Sequence, residues 1–536
     1  MIEQKIQTKA YWQDYRVSDQ DIEEIGDMFL EAERPLLTRE LGRALVESHC
    51  QREQNLVARQ LAQGAVYRPN GTFAVGETLV FPHMGFALGE VIDLRPGHNP
   101  EHGEFSVITV KFQGNGSKAG AGSERSFAAE LQGPHKLAFS DDLSWENEFS
   151  VSADDLYARF GELVEDELED RLGAESRFWS FRGKWLPASM AVDVHVGLLN
   201  IAEAMIDIQG EPLTPAAIMN ELDLPEEVPL AIKEFSLNRA LAADKRFDDV
   251  GDVSEVRWSL CRREPPIILS PSPRLVGKPV PYDRTGLDVT HLQLEREIDD
   301  ELSRLIALPT AVSASSVTIL LGYPHWRAGT LPFTERTQFF YPEGSPDQHT
   351  RITFVDQQSP DQTFPGWVMR EYGNVCGLDG WYEANTVLPG AYVKLSKLQE
   401  RGHVGIELIG RRMQREWVRV VYEADGEMQL QMEKRPIAYE YDELAIFDES
   451  DRGVVDALVQ AEAERDRPLD DLVRSVFLLL VKLSPNGMVH SKTLYGAVNV
   501  LRRCSPGLVF SVLFRLPEFV TAGDGYWIYQ GSADVL

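Results

Sequence analysis

The same ordered set of residues occurs twice in this chain, near its middle and near its end. Leu241, Phe247, Gly251 and Trp258 are paralleled by Leu513, Phe519, Gly523 and Trp527, and helical stretches precede each set. The first copy reads LLNIAEAMIDIQGEPLTPAAIMNELDLPEE and then EFSLNRALAADKRFDDVGDVSEVRWSL, with Thr214 placed as an N-cap and Pro215 at the first helical position. The second reads VRSVFLLLVKLSPNGMVHSKTLYGAVNVLRR, turning at Pro485-Asn486-Gly487, and then SPGLVFSVLFRLPEFVTAGDGYWIYQ. Two copies of a small helix-and-hairpin unit so far apart cannot share one simple core. The 536 residues accordingly suggest about three to five domains.

Hydrophobic periodicity divides the rest. Residues 1–70 form a helical unit, with Ile22, Ile25, Met28 and Phe29 on one stripe and Thr38 able to cap a helix beginning near Glu40. Period two takes over in 71–133, where FAVGETLVFP, ALGEVIDLRPG, EFSVITVKF and RSFAAEL predict an SH3-like or Tudor-like barrel. Residues 134–188 read as an acidic helical connector, with Leu156, Phe160, Leu163 and Leu168 near helical spacing. Three short helices and a strand hairpin over 189–263 make a winged helix. Six prolines between Pro265 and Pro281 mark 264–286 as a stiff linker. Leu294, Ile298, Leu302 and Leu305 then line one face of a docking helix within 287–309. Aromatic-rich strands over 310–446 predict a closed or nearly closed barrel, and 447–536 carries the C-terminal helices and second winged helix. The expected class is multidomain α+β, combining winged-helix modules with small β-barrels.

Two resemblances refine this. Pro212-Leu213-Thr214, Ile218, Leu222, Leu237, Leu241, Asp244, Arg246-Phe247, Val250-Gly251 and Trp258 resemble the HARE-HTH winged-helix family over about 70 residues, and 471–530 forms a second copy. That family includes the delta subunit of bacterial RNA polymerase and modules attached to chromatin proteins and restriction enzymes. The order LPFTERT, RITFVDQQ, FPGWV, LDGWYEANTVLPGAYVKL resembles the DNA-binding pseudobarrel of plant auxin-response and abscisic-acid-response factors, with Trp367, Gly380-Trp381 and Leu388 to Ala391 in the motif positions. Ala391 departs from that family's usual Asp.

Charge sets limits on function. Acidic residues outnumber basic ones 84 to 53, a net charge of −31, which excludes uniform coating of nucleic acid and confines any DNA contact to local surfaces. Residues 316–420 balance 11 basic against 11 acidic residues, and 471–536 hold six basic against four. Candidate nucleic-acid-binding residues are therefore His325, Trp326, Arg327 and Arg336, where the resemblance places the first DNA-gripping arm, and Arg411, Arg412 and Arg415 in RRMQREWVR. Lys492, Arg502 and Arg503 complete the set in the C-terminal module. The helix carrying Leu237 to Asp244 has few and mixed polar residues, so a protein-facing role fits the first winged helix better.

No catalytic constellation is legible. His98-Asn99-Pro100-Glu101-His102 has HxxEH spacing, but Gly97, Pro100 and Gly103 break the helix a zinc site needs. GNGSKAGAG lacks phosphate-loop spacing, and Asp356 and Glu371 read as scattered surface acids rather than nuclease ligands. Cys50, Cys261, Cys376 and Cys504 lie too far apart for a zinc ribbon and suit a reducing cytoplasm. Neither a secretory signal nor a membrane span is expected. The sequence thus predicts a cytoplasmic, non-enzymatic scaffold without cofactor or metal. Its partners would be double-stranded DNA and RNA polymerase or another protein. The alternatives are a protein-only adaptor and a modification-dependent nuclease.

Overall fold

The computed structural model describes residues 5–99, 102–113, 122–132, 152–277, 280–303, 315–346 and 348–531. The HxxEH run, the GNGSKAGAG loop and the first part of the acidic connector fall wholly or partly outside these residues. The chain divides into two units, one of Met1–His195 with Asp223–Ala240 and one of Val196–Leu222 with Leu241–Leu536. It is a multidomain mixture of helices and several sheets.

In the first unit, Ser18 begins the helix Asp19–Ala32 with a capping box closed by Asp21. The next helix, Thr38–Leu61, starts two residues before the expected Glu40. Thr38 does not cap it. Its hydroxyl donates to Glu169 at 2.9 Å and accepts the indole N–H of Trp185 at 3.1 Å, so it joins three segments. The supposed connector contributes a core helix, Ala153–Gly173, that buries Leu156, Phe160, Val164, Leu168 and Leu172. None of its acids is buried, which is why its composition reads as solvated, although Glu167 and Glu169 reach Val17 and Thr38 of the same unit. Trp12 stacks on Phe160 within the same core.

Residues 65–129 form a five-stranded sheet whose strands follow sequence order. Backbone N–H groups of Glu130 and Leu131 donate to the carbonyls of Gly71 and Pro69, so the last strand returns to the segment after the first. Tyr67, Phe73, Phe81, Phe112 and Phe127 fill the interior, with Tyr67 and Phe81 stacked at 4.8 Å.

In the second unit the two copies of the repeated residue set have the same register. Phe247 pairs with Leu260 and Trp258 bridges to Leu213; Phe519 pairs with Tyr529 and Trp527 with Val489. Each tryptophan therefore lies opposite the residue that leads into a helix. The paired glycines serve different needs. Gly523 adopts φ +91°, whereas a Cβ on Gly251 would meet the Glu255 carbonyl oxygen at 2.0 Å. Gly251→Ala is expected to destabilise the second unit by about 1–3 kcal/mol, read from denaturant midpoints, while an unchanged midpoint would disprove the close approach.

The aromatic region forms a seven-stranded sheet in the order 316–320, 392–397, 403–408, 349–356, 363–369, 374–376, 330–332. Short helices, Tyr323–Ala328 and Asp379–Ala384, follow the strands 316–320 and 374–376. Its end strands are not paired with each other, so the sheet is open rather than closed. EWVRVVYE and MQLQMEK do not belong to it. They lie in a separate ribbon, Gly410–Ala424 with Glu427–Tyr439, joined by Phe447–Glu449. The two long strands continue past the sheet because their turn at Asp425 and Gly426, both at positive φ, lets them pair with each other.

One core runs from Leu287 through the sheet and ribbon to Trp527. The proline-rich stretch lies along this unit rather than standing free. It is not extended throughout, as a stiff linker would be: Pro265 caps a helical turn, Pro266–Leu269, from which Ile268 packs with Val250, Trp367, Met369 and Cys376, and Arg274 binds Asp456 at 2.5 Å. The docking helix covers Val289–Ile298 and stops sooner than its apolar stripe because Asp299 adopts φ 52°. Among the described residues, no single helix is long and apolar enough to cross a membrane, and all four cysteines are free thiols.

Candidate nucleic-acid interface

Most of the basic side chains singled out in the sequence are held by carboxylates. His325 is buried between Thr330 Oγ1 at 2.8 Å and Glu301 Oε2 at 2.9 Å. Trp326 is buried and its indole N–H donates to the Val387 carbonyl at 2.6 Å. Arg327 reaches Asp456 at 2.7 Å and Glu449 at 3.4 Å, and Arg336 lies 3.4 Å from Asp299. The arm expected at Trp326 to Arg336 is therefore a short helix and strand tied to neighbouring acids. A phosphate would have to displace those acids from the paired cations.

Of the C-terminal cations, Lys492 and Arg503 are enclosed and Arg502 is paired but partly exposed. Lys492 binds Asp442 at 2.8 Å and Glu297 at 3.3 Å; burial alone would lower its pKa, but these carboxylates outweigh burial and raise it. Arg502 binds buried Glu462 at 2.6 Å. Arg503, 3% exposed, binds Asp300 through both terminal nitrogens, at 2.7 and 2.8 Å, and Glu301 at 2.7 Å. Burial would raise the Glu301 pKa, yet Arg503 and His325 hold it well below the usual carboxylate range. Lys492 and Arg503 thus brace the interior, a correction to the basic face expected of them, and Arg502 is tied to Glu462 with its side chain partly exposed. Asp356 is corrected likewise. It is buried, not a surface acid, and accepts the Trp381 indole N–H at 3.0 Å.

The third helix of the C-terminal module, Pro506–Arg515, is covered over part of its surface, with Phe514 and Arg515 left exposed. His291 of the docking helix sits edge-on to Phe510, Phe514 and Trp527, with ring centroids 5.3, 4.9 and 5.7 Å away. Tyr282 lies against Gly507, where a Cβ would meet its ring at 2.2 Å. His291 also links Asp288 at 2.7 Å to Ser491 Oγ at 2.8 Å. This acid, histidine and hydroxyl connectivity resembles an activated nucleophile. Its surroundings oppose that role: Ser491 and His291 are fully buried, and the hydroxyl donates to the Gly525 carbonyl at 3.1 Å while accepting the Trp527 N–H at 3.0 Å. The group fastens the docking helix to the wing.

The exposed ribbon differs. Arg411 is paired with Glu416 and lies over the Tyr441 ring, but Arg412 and Arg415 are exposed and have no ion-pair partner among the described residues. Beside them stand Met413, 68% exposed, and Trp417, 57% exposed, with Lys434 5.1 Å above the Trp417 ring. Sequence reasoning found the arginines but missed Trp417, Lys434 and Met432. The signal was strand alternation, which puts Trp417 in phase with Arg415 and out of phase with buried Val418 and Val420.

Two adjoining cavities of about 310 and 260 Å³ flank the Arg401–Asp252 ion pair in the second unit. Their arginines are already paired: Arg257 with Glu255, Arg351 with Glu211 and Arg401 with Asp252. No group of three or more His, Cys, Asp and Glu side chains is assembled to hold a metal among the described residues. No family model, curated protein or solved structure matches this chain.

Proposed function

We propose that the chain is a non-enzymatic, transcription-associated scaffold of the cytoplasm whose working contacts are with protein more than with base edges. Residues 469–529 run helix, strand, helix, helix, strand, strand, an order that supports the winged-helix reading, as does the register shared with 213–260. The five-stranded unit of 65–129 supports an SH3-like barrel, and the open seven-stranded sheet with its two short helices supports the pseudobarrel resemblance. The observation that carries the protein-facing reading is the cover on the third C-terminal helix. A recognition helix needs a free face to enter the major groove, and here His291 and Tyr282 pack on this helix and leave Phe514 and Arg515 as its exposed end.

DNA-first contact is the second reading, favoured by Arg412 and Arg415 on a two-stranded ribbon, an element that fits the major groove. The test combines size-exclusion chromatography of the full chain with purified bacterial RNA polymerase and anisotropy titrations of a random duplex across a salt series. Co-elution with polymerase, without duplex retention at about 50 mM salt, is expected. A log–log salt slope of about −3 or steeper moves the assignment to DNA. Absence of both interactions overturns the transcription assignment.

A further inference from the structure

We propose that the exposed half of the ribbon, residues 411–417 with 432–436, is a docking surface for an acidic peptide segment bearing an aromatic or aliphatic anchor. This rests on the protein-facing reading above and gives it a surface and a partner chemistry. Arg415 pairs with Pro436, Trp417 with Lys434 and Arg419 with Met432, so these side chains share one face. Arg412 and Met413 sit at the adjoining irregularity between Gly410 and Gln414. Trp417, Met413 and Met432 are 57%, 68% and 37% exposed, a cluster of the residue types that anchor protein interfaces.

Charge identifies the occupant. This half carries five cations against two carboxylates. The carboxylates are answered locally, Glu416 by Arg411 and Glu433 by Arg435, which leaves Arg412, Arg415 and Lys434 in excess in a chain of net charge −31. An acidic side chain finds a cation there, and an apolar anchor finds the Trp417 and Met413 surface. A duplex lying along the ribbon would run its phosphates towards Glu423, Asp425 and Glu427 at the tip, whereas a short peptide ends before them. Val418, Val420, Val421 and Leu430 bury the ribbon's other half and hold it in place, so little ordering is needed on binding.

The experiment is selection of a displayed library of random 12-residue peptides on the full chain. The same selection is run on Arg412→Glu/Arg415→Glu and on Trp417→Ala. The wild type is expected to enrich peptides rich in Asp and Glu with an aromatic or Leu anchor, and a synthesised winner is expected to lose at least about tenfold in affinity with either variant. Circular dichroism and melting curves should be unchanged, since the substituted side chains are exposed. Peptides without acidic bias, or with equal affinity for the variants, overturn the proposal. So does duplex or single-stranded DNA binding that Arg412→Glu/Arg415→Glu abolishes, because the surface then serves nucleic acid. Polymerase co-elution is read separately, so failure here leaves the functional assignment standing and failure there leaves this surface standing.

Discussion

Arg503→Met is expected to destabilise the second unit by about 3–5 kcal/mol, because it leaves two buried carboxylates without their cation. Asp300 and Glu301 are 3% and 8% exposed at the side chain. Asp300 also receives the hydroxyl of buried Tyr495. His325 is the remaining basic neighbour of Glu301 and cannot replace a guanidinium that spans both acids. Denaturant titration followed by tryptophan fluorescence measures the effect. Adding Asp300→Asn and Glu301→Gln to Arg503→Met should recover much of the loss, since neutral amides need no counter-charge. A loss below about 1 kcal/mol for Arg503→Met would mean that solvent reaches the cluster and screens it.

The second large effect depends on pH. Glu264 is 8% exposed, one of its carboxyl oxygens has no hydrogen-bond partner, and burial followed by the neighbouring Asp248 charge pushes its pKa up to about 8. Below its ordinary value of 4.5 folded and unfolded chains both hold the proton. Between there and about 8 only the folded chain holds it, so stability falls as pH rises, with a slope of about 1.4 kcal/mol per pH unit in mid-window. Glu264→Gln should flatten that slope and gain about 2–4 kcal/mol over the wild type at pH 8. Denaturant midpoints from pH 5 to 8.5 decide it. Parallel profiles for wild type and variant would show that the carboxyl pair is hydrated.

What was legible in the sequence followed local rules. Strand alternation located the five-stranded unit, and the spacing of Phe247 to Trp258 and of Phe519 to Trp527 foretold two hairpins with a common register. Arg412 and Arg415 stood out in the sequence only as a basic cluster, and the structure exposes both, since a strand face is decided by its immediate neighbours. Lys492 and Arg503 were misread for the opposite reason. Their environment comes from remote residues: Asp300 lies 203 positions from Arg503, and Glu297 lies 195 from Lys492. No window of sequence shows that such a cation is buried. The acidic helix 153–173 was legible from its spacing, since Leu156, Phe160 and Leu168 of the expected stripe are buried, whereas its acidic composition reports only the solvent face and did not show that it joins a core.

The fastening of the docking helix also bears on how the chain is made. His291 and Trp527, whose side chains meet, are 236 residues apart, a separation that takes about 10–50 s to synthesise. Through that interval Leu294 has been made and the wing it meets at Gly525 has not. A nascent chain therefore carries an apolar helix whose contact with Trp527 must wait until the intervening sheet and ribbon have been made. Slow, late closure of this kind exposes intermediates to aggregation, so the yield of folded protein should depend more on the rate of synthesis and on chaperones than the stability of the finished unit would suggest.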